Sequence, residues 1–214
     1  MNTSILVPLN ADKVGHHKDA LYPDLLPGHP CRICIAGRSG AGKGCVAKTL
    51  LAKANPAFER IVIYHYDRDT KEWDDCDYSD MITELPDNPA EFWDRDVKNL
   101  LVIDEVPFEG LLKAEKSKLD RMFNYVASHY SVSVYLLQQN FCSIPVPVRR
   151  SCEYWILWGS VDAVSIRDVS LKTGHDFAEL LLLTASKYDS IMFDFTGSKY
   201  PLRLNLFHPI ADSS

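Results

Sequence analysis

Long apolar runs are missing from this 214-residue sequence. A helix that crosses a bilayer needs about 20 apolar residues, so no membrane span is expected. Near the start the only apolar run is Ile5-Leu6-Val7, too short for a secretory signal. Zinc-like spacing is missing too. The six cysteines (Cys31, Cys34, Cys45, Cys76, Cys142 and Cys152) are scattered, and no second Cys/His pair accompanies Cys31-x-x-Cys34. That pair lies in Cys31-Arg32-Ile33-Cys34-Ile35-Ala36, which reads as a strand. Residues three apart on a strand face opposite sides, so both are expected to be core cysteines. Free thiols fit a reducing compartment, and a soluble protein of the cell interior is expected. Internal repeats and low-complexity tracts are also absent. With 46% hydrophobic and 24% charged residues, the chain is expected to fold as one ordered domain.

An overall basic surplus is lacking as well. Net charge is -6, and between Asp67 and Asp96 twelve acidic residues face three basic ones, a local -9 that leaves +3 elsewhere. The acidic stretch reads as a solvated, loop-rich face. Any contact with nucleic acid is expected on other surfaces.

What is present is an alternation of strands and helices. Residues 1–29 carry Pro8, Pro23 and Pro27, with His16-His17 between them, and read as an N-terminal arm or lid. Residues 30–214 read as the folded domain. Strands are predicted at Arg32–Ala36, Arg60–His65, Met81–Leu85, Asn99–Val106, Ser133–Leu137 and Glu153–Trp158. Helices are predicted from Cys45 to Ala54 with Val46, Leu50 and Leu51 inward, near Pro89–Trp93, from Leu112 to Ser128, at Val161–Lys172 and at Phe177–Ser186. The second long helix has Leu119, Met122, Phe123 and Val126 on its inner stripe. Ser190–Phe195 and Leu202–Phe207 close the chain as a hairpin. This order predicts an α/β fold with a mainly parallel sheet and helices on both faces.

Between the first of these strands and its helix stands Gly37-Arg38-Ser39-Gly40-Ala41-Gly42-Lys43. G-x-x-x-x-G-K alone arises by chance in roughly one chain of this length in twenty. Its place between strand and helix gives it weight, because loop N–H groups and a helix N-terminus together cradle phosphate. ATP binding is therefore expected at Gly37 to Lys43 and the adjoining Gly44 and Cys45, with Lys43 reaching the β/γ-phosphates. One position departs from the pattern. Ser or Thr, whose hydroxyl would ligate Mg²⁺, is replaced by Gly44.

Asp104-Glu105 follows a continuous apolar strand, as a Walker B element requires. Asp104 is assigned to Mg²⁺ and Glu105 to the attacking water. Gln138-Gln139-Asn140 ends another strand and fits a γ-phosphate sensor. Arg149-Arg150 suits a subunit-edge arginine acting on a neighbour's phosphate, or a solvated pair, or a DNA-phosphate contact. Arg121 is a weaker candidate for the same role.

This order of motifs resembles the HerA/FtsK superfamily, within it the genome-packaging ATPases of poxviruses, virophages and Polinton-type elements. Ser128-His129-Tyr130 through Gln139-Asn140-Phe141 is similar to that family's His-containing turn, strand and terminal Gln-Asn. Leu202 to Phe207 looks like its last strand. The resemblance implies a P-loop NTPase fold, ATP and Mg²⁺ as ligands, and a homo-oligomeric ring acting on double-stranded DNA. It implies Gln139 as sensor and Arg149 or Arg150 as the later arginine. It further implies capsid or portal-vertex partners, action inside a host cell and retention at the virion vertex. Lys113, Lys116 and Lys118 are candidate channel residues. Ser128 stands where the family often has arginine.

Two other readings stay open. Gly40 to Gly44 is similar to the adenylate kinase P-loop, where glycine also follows lysine, which keeps a nucleoside monophosphate kinase in play. Against it, the sequence has no Asp-Gly-Phe/Tyr-Pro-Arg segment. The second is a non-hydrolysing, nucleotide-gated DNA-binding assembly protein, with Gly44 as the mark of lost hydrolysis.

Overall fold

A computed structural model describes residues 6–8, 25–159 and 163–212. His16-His17 and most of the predicted arm lie outside the described residues. Ten strands form one sheet: β1 (Leu6–Pro8), β2 (Arg32–Ala36), β3 (Arg60–His65), β4 (Asp80–Ile82), β5 (Asn99–Asp104), β6 (Val132–Gln138), β7 (Tyr154–Trp158), β8 (Ser190–Asp194), β9 (Leu202–Leu204) and β10 (His208–Asp212). Their order across the sheet is β1-β10-β9-β8-β7-β2-β6-β5-β3-β4. From β7 to β4 all neighbours run parallel, and from β8 outward they run antiparallel.

The parallel strands are covered on both faces, as their unbroken apolar runs require. Side chains alternate between two cores. Cys34, Val62, Leu101, Ile103, Val134 and Leu136 pack in one, while Ile33, Ile35, Ile63, Leu100, Val102 and Leu137 pack in the other. Cys31 and Cys34 fall in different cores, as strand alternation predicts. All six cysteines are free thiols.

Helix α1 (Lys43–Lys53) covers the second core with Ala47 and Leu50. The sequence pattern placed Val46 and Leu51 inward as well. They are only half-buried, and Ala47 takes the innermost place because its small side chain lets the helix lie close to the sheet. The short α2 (Pro89–Phe92) starts at an Asn88 cap. Helix α3 (Lys113–Arg121) runs into a π-helical turn, Met122–Val126, and a last turn, Ala127–His129. Leu119, Met122, Phe123 and Val126 are all buried against the first core, as their spacing predicted. Helix α4 (Val146–Ser151) precedes β7. Helices α5 (Ala163–Thr173) and α6 (Phe177–Leu181) cover the first core with Val169, Phe177 and Leu180.

Several boundaries differ from expectation, the strand predicted at Asn99–Val106 ending at Asp104 among them. β4 begins and ends earlier than predicted, α6 ends at Leu181 rather than near Ser186, and the closing hairpin is a three-strand meander. β9 stops at Leu204 because Asn205 and Leu206 take positive φ (48° and 70°) and turn the chain into β10. Leu25, inside the predicted arm, is buried at 1% exposure, and its carbonyl accepts from the Arg203 guanidinium.

Candidate active site

Strands β2, β6, β5 and β3 end level with one another. Ala36 pairs with Gln138, Leu137 with Asp104, and Asp104 with His65. The loops beyond these ends form one edge, where open α/β sheets bind ligands. Strand β6 lies between β2 and β5, so the predicted sensor stands between the phosphate loop and the carboxylate pair.

Gly40 (φ 72°) and Gly42 (φ 104°) take left-handed conformations that a Cβ would oppose. Gly42 caps α1 without a side-chain hydrogen bond, and the first turn holds no acidic residue. The N–H groups of that turn lack intrahelical partners and are suited to an anion. Gly37 is required for a different reason. A Cβ there would lie 2.9 Å from the Trp158 ring. Arg38, Ser39, Gly40 and Cys45 are exposed, while Ala41 and Lys43 are buried.

Lys43 Nζ lies 3.3 Å from Glu105 Oε1 and donates to the Arg38 carbonyl at 3.5 Å. Gln139 Nε2 donates to both oxygens of Glu105 at 3.0 Å. Lysine, carboxylate and amide thus form one chain across three loops. Glu105 itself has φ 50°, a conformation that costs a non-glycine residue roughly 1 kcal/mol and is met at functional sites. The neighbouring amides are spoken for. Gln138 donates to the Val106 carbonyl, and Asn140 caps the turn at Phe141–Ser143.

Asp104 is 1% exposed, and its Oδ2 accepts from Trp73 Nε1 at 2.9 Å. Its Oδ1 accepts no hydrogen bond from the described residues. Trp73 was not anticipated. It comes from the acidic stretch, whose twelve carboxylates are indeed exposed, yet it is fully buried beneath them. A lone aromatic inside a charged run was the available signal. Among the described residues no three metal-ligating side chains converge on one point.

Burial pushes the Asp104 carboxyl up to about 6. The Trp73 N–H opposes this, repulsion from Glu72 and Glu105 reinforces it, and His65 opposes it. Its unfolded value is near 3.8, so ionisation is harder in the folded chain. The stability this group contributes is fully present below pH 4 and is lost as pH rises through about 6. Asp104→Asn is therefore expected to be more stable than wild type at pH 8, by roughly 1–3 kcal/mol, without nucleotide or divalent cations. At pH 4 the difference should vanish. Urea unfolding at the two pH values measures it, and an equal difference at both would reject the buried ionisation as its cause.

The two candidate arginines separate. Arg149 is buried, 3.5 Å from Asp168 and over the Phe141 ring, whereas Arg150 is exposed. Of the candidate channel lysines, Lys113 and Lys116 are exposed and Lys118 pairs with Asp87 at 2.7 Å. Arg121 is exposed.

No protein-family model matches the chain, and no curated protein is similar to it. Solved structures are. The genome packaging NTPase B204 from Sulfolobus turreted icosahedral virus 2, in complex with sulfate, aligns over 85% of this chain and 98% of its own at 14% identity, TM-score 0.60. B204 of Sulfolobus turreted icosahedral virus, described as a DNA-packaging ATPase, aligns over 82% and 96% at 15% identity, TM-score 0.60. The pCW3 conjugation coupling protein TcpA, as a monomer with ATPγS, aligns over 100% of this chain and 68% of its own at 11% identity, TM-score 0.55. No helix of the described residues is long and apolar enough to cross a membrane. The chain has the P-loop NTPase fold, in the form that these packaging and coupling proteins share.

Proposed function

We propose that this chain is the ATP-hydrolysing subunit of a homo-oligomeric ring that moves double-stranded viral DNA into a preformed capsid. The observation that carries the reading is the Lys43–Glu105–Gln139 chain beside a helix N-terminus bare of side-chain caps. It suits phosphoryl transfer to water. The motif order and the likeness to packaging NTPases support DNA as the substrate track.

Lys43 faces Glu105 at 3.3 Å and neutralises it. Phosphate oxygens at the loop compete for that lysine, and Glu105 is then left with Gln139 as its partner. So released, Glu105 takes a proton from the attacking water, and Gln139 holds its carboxylate in place. Asp104, whose Oδ2 is held by Trp73 and whose Oδ1 takes no hydrogen bond from the described residues, fits a divalent cation. When bound, Mg²⁺ would neutralise charge on the β- and γ-phosphates. Arg150, exposed at the end of α4, suits transition-state stabilisation in an adjacent subunit, while Arg149 braces α4 against α5 through Asp168. Residues 1–29 serve as an arm on the 30–214 ATPase domain. The site of action is the host-cell interior, with capsid or portal-vertex proteins as partners and retention at the virion vertex.

The test is phosphate release from ATP with and without double-stranded DNA. Stimulation by DNA, lost in Lys43→Ala, is the expected result. Turnover-rate transfer to AMP, CMP, GMP or UMP would instead establish the kinase reading. ATP binding with no phosphate release, even with DNA and an assembled ring, would establish the non-hydrolysing one.

A further inference from the structure

Gly44 removes the hydroxyl that would ordinarily help hold the cation, and the structure shows what has come into its place. A Cβ built on Gly44 would lie 3.1 Å from Glu72 Oε1. No positive φ calls for glycine here, and the nearest neighbour that a side chain at 44 would meet is this carboxylate oxygen. A serine or threonine at 44 would move it by a few tenths of an ångström and share its position beside the first turn.

The segment that carries Glu72 is held firmly at the site. Its neighbour Trp73 is fully buried and donates to Asp104, the cation-side carboxylate. Lys48 of α1 donates to the Glu72 carbonyl at 2.6 Å and to Asp75 Oδ1 at 2.5 Å, and its ammonium lies 5.4 Å from the Trp73 ring centroid. The main chain at 72 is therefore tied to α1 on one side and to β5 on the other. The Glu72 side chain itself accepts no hydrogen bond and forms no ion pair with the described residues. Asp104 Oδ1 is in the same condition. Glu72 thus lies against the first turn of the phosphate-binding helix, and Asp104 is near enough to repel it.

We propose that Glu72 is a ligand of the divalent cation that accompanies the nucleotide, replacing the hydroxyl absent at Gly44. The proposal rests on reading the site as a nucleotide site. Small hard cations favour carboxylate oxygens and complete their shell with phosphate oxygens and water. Such a shell accounts for the lack of a three-residue metal cluster among the described residues. Exchanging a neutral hydroxyl for a carboxylate adds one negative charge, so the cation is held more by the protein and less by the phosphates than in a hydroxyl-type loop.

The experiment compares the affinity of a fluorescent ATP analogue in Mg²⁺ and in EDTA, together with Mn²⁺ binding by electron paramagnetic resonance. Wild type, Glu72→Gln, Gly44→Ser and Glu72→Ala/Gly44→Ser are measured side by side. Glu72 is exposed, so its replacement should leave the melting curve unchanged. The expected result is that Glu72→Gln loses about 10–100-fold in Mn²⁺ affinity and most of the Mg²⁺ enhancement. Its affinity in EDTA should stay level or improve. The double variant should regain the enhancement, because a hydroxyl at 44 then has both room and a task. Undiminished Mg²⁺ enhancement and Mn²⁺ affinity in Glu72→Gln would overturn the proposal and leave the nucleotide site standing. Absence of nucleotide binding by wild type in both conditions would overturn the site itself.

Discussion

Glu105→Gln is expected to slow phosphate release by about 10²–10⁴-fold, the usual worth of a positioned general base, while ATP still binds. The substitution preserves shape and removes the basic oxygen. It also removes the charge that Lys43 faces at 3.3 Å. Lys43 is then available to phosphate without competition, so the apparent affinity for ATP should hold level or rise. Lys43→Ala acts in the opposite sense, because it takes away a phosphate ligand and leaves Glu105 ionised beside the loop. The two variants therefore separate binding from chemistry. Single-turnover hydrolysis and equilibrium binding, measured on each, check the pair of outcomes. Wild-type hydrolysis in Glu105→Gln would falsify the assignment of the base.

Asp194→Ala is expected to destabilise the fold by about 3–5 kcal/mol, the cost of leaving a buried charge without its partner. Asp194 and Arg203 form an ion pair at 2.6 Å with side-chain exposures of 4% and 1%. Asp194 also accepts from the Thr196 N–H and hydroxyl at 3.0 and 2.6 Å, which shapes the start of the turn between β8 and β9. Arg203 spans from this turn to the Leu25 carbonyl, so one guanidinium ties the antiparallel half of the sheet to the segment that leads into β2. For a chain of this size the loss corresponds to a fall in melting temperature of roughly 6–20 °C. The double change Asp194→Leu/Arg203→Met should recover much of it, since an apolar pair of similar volume carries no desolvation penalty. A loss under about 1 kcal/mol in the single variant would show that solvent reaches the guanidinium.

The site was legible in the sequence wherever function sits on contiguous residues. The apolar strand, the glycine turn and Lys43 are local, and so is Asp104-Glu105 at the end of β5. Gln139 could be chosen from three amides by resemblance, and the structure gives a reason in its bond to Glu105. What could not be read were contacts between distant residues. Trp73 meets Asp104 across 31 positions. Its acidic surroundings signal solvent, because all twelve carboxylates are exposed, and that pattern hides a ring that points inward. The fold followed the same division. Strand alternation and the stripe on α3 were readable from periodicity. The pairing of β1 with β10 and the early stop of β9 were not, since the first joins opposite ends of the chain and the second depends on Leu206, next to Asn205, entering a left-handed conformation that leucine rarely adopts.

The close fit of Trp158 against Gly37 has a practical consequence. An indole ring that touches the first residue of the phosphate loop, with its N–H held by the Tyr188 carbonyl at 3.0 Å, is a fluorophore in contact with the candidate ligand site. Movement of the loop around a ligand changes what the ring faces, and its emission should shift with occupancy. Trp73, bonded to Asp104, watches the cation side in the same way. The chain has four tryptophans, so keeping Trp158 or Trp73 alone and replacing the other three indoles with phenylalanine would give two separate readings of the same event, and their order in a stopped-flow trace would tell which half of the ligand arrives first.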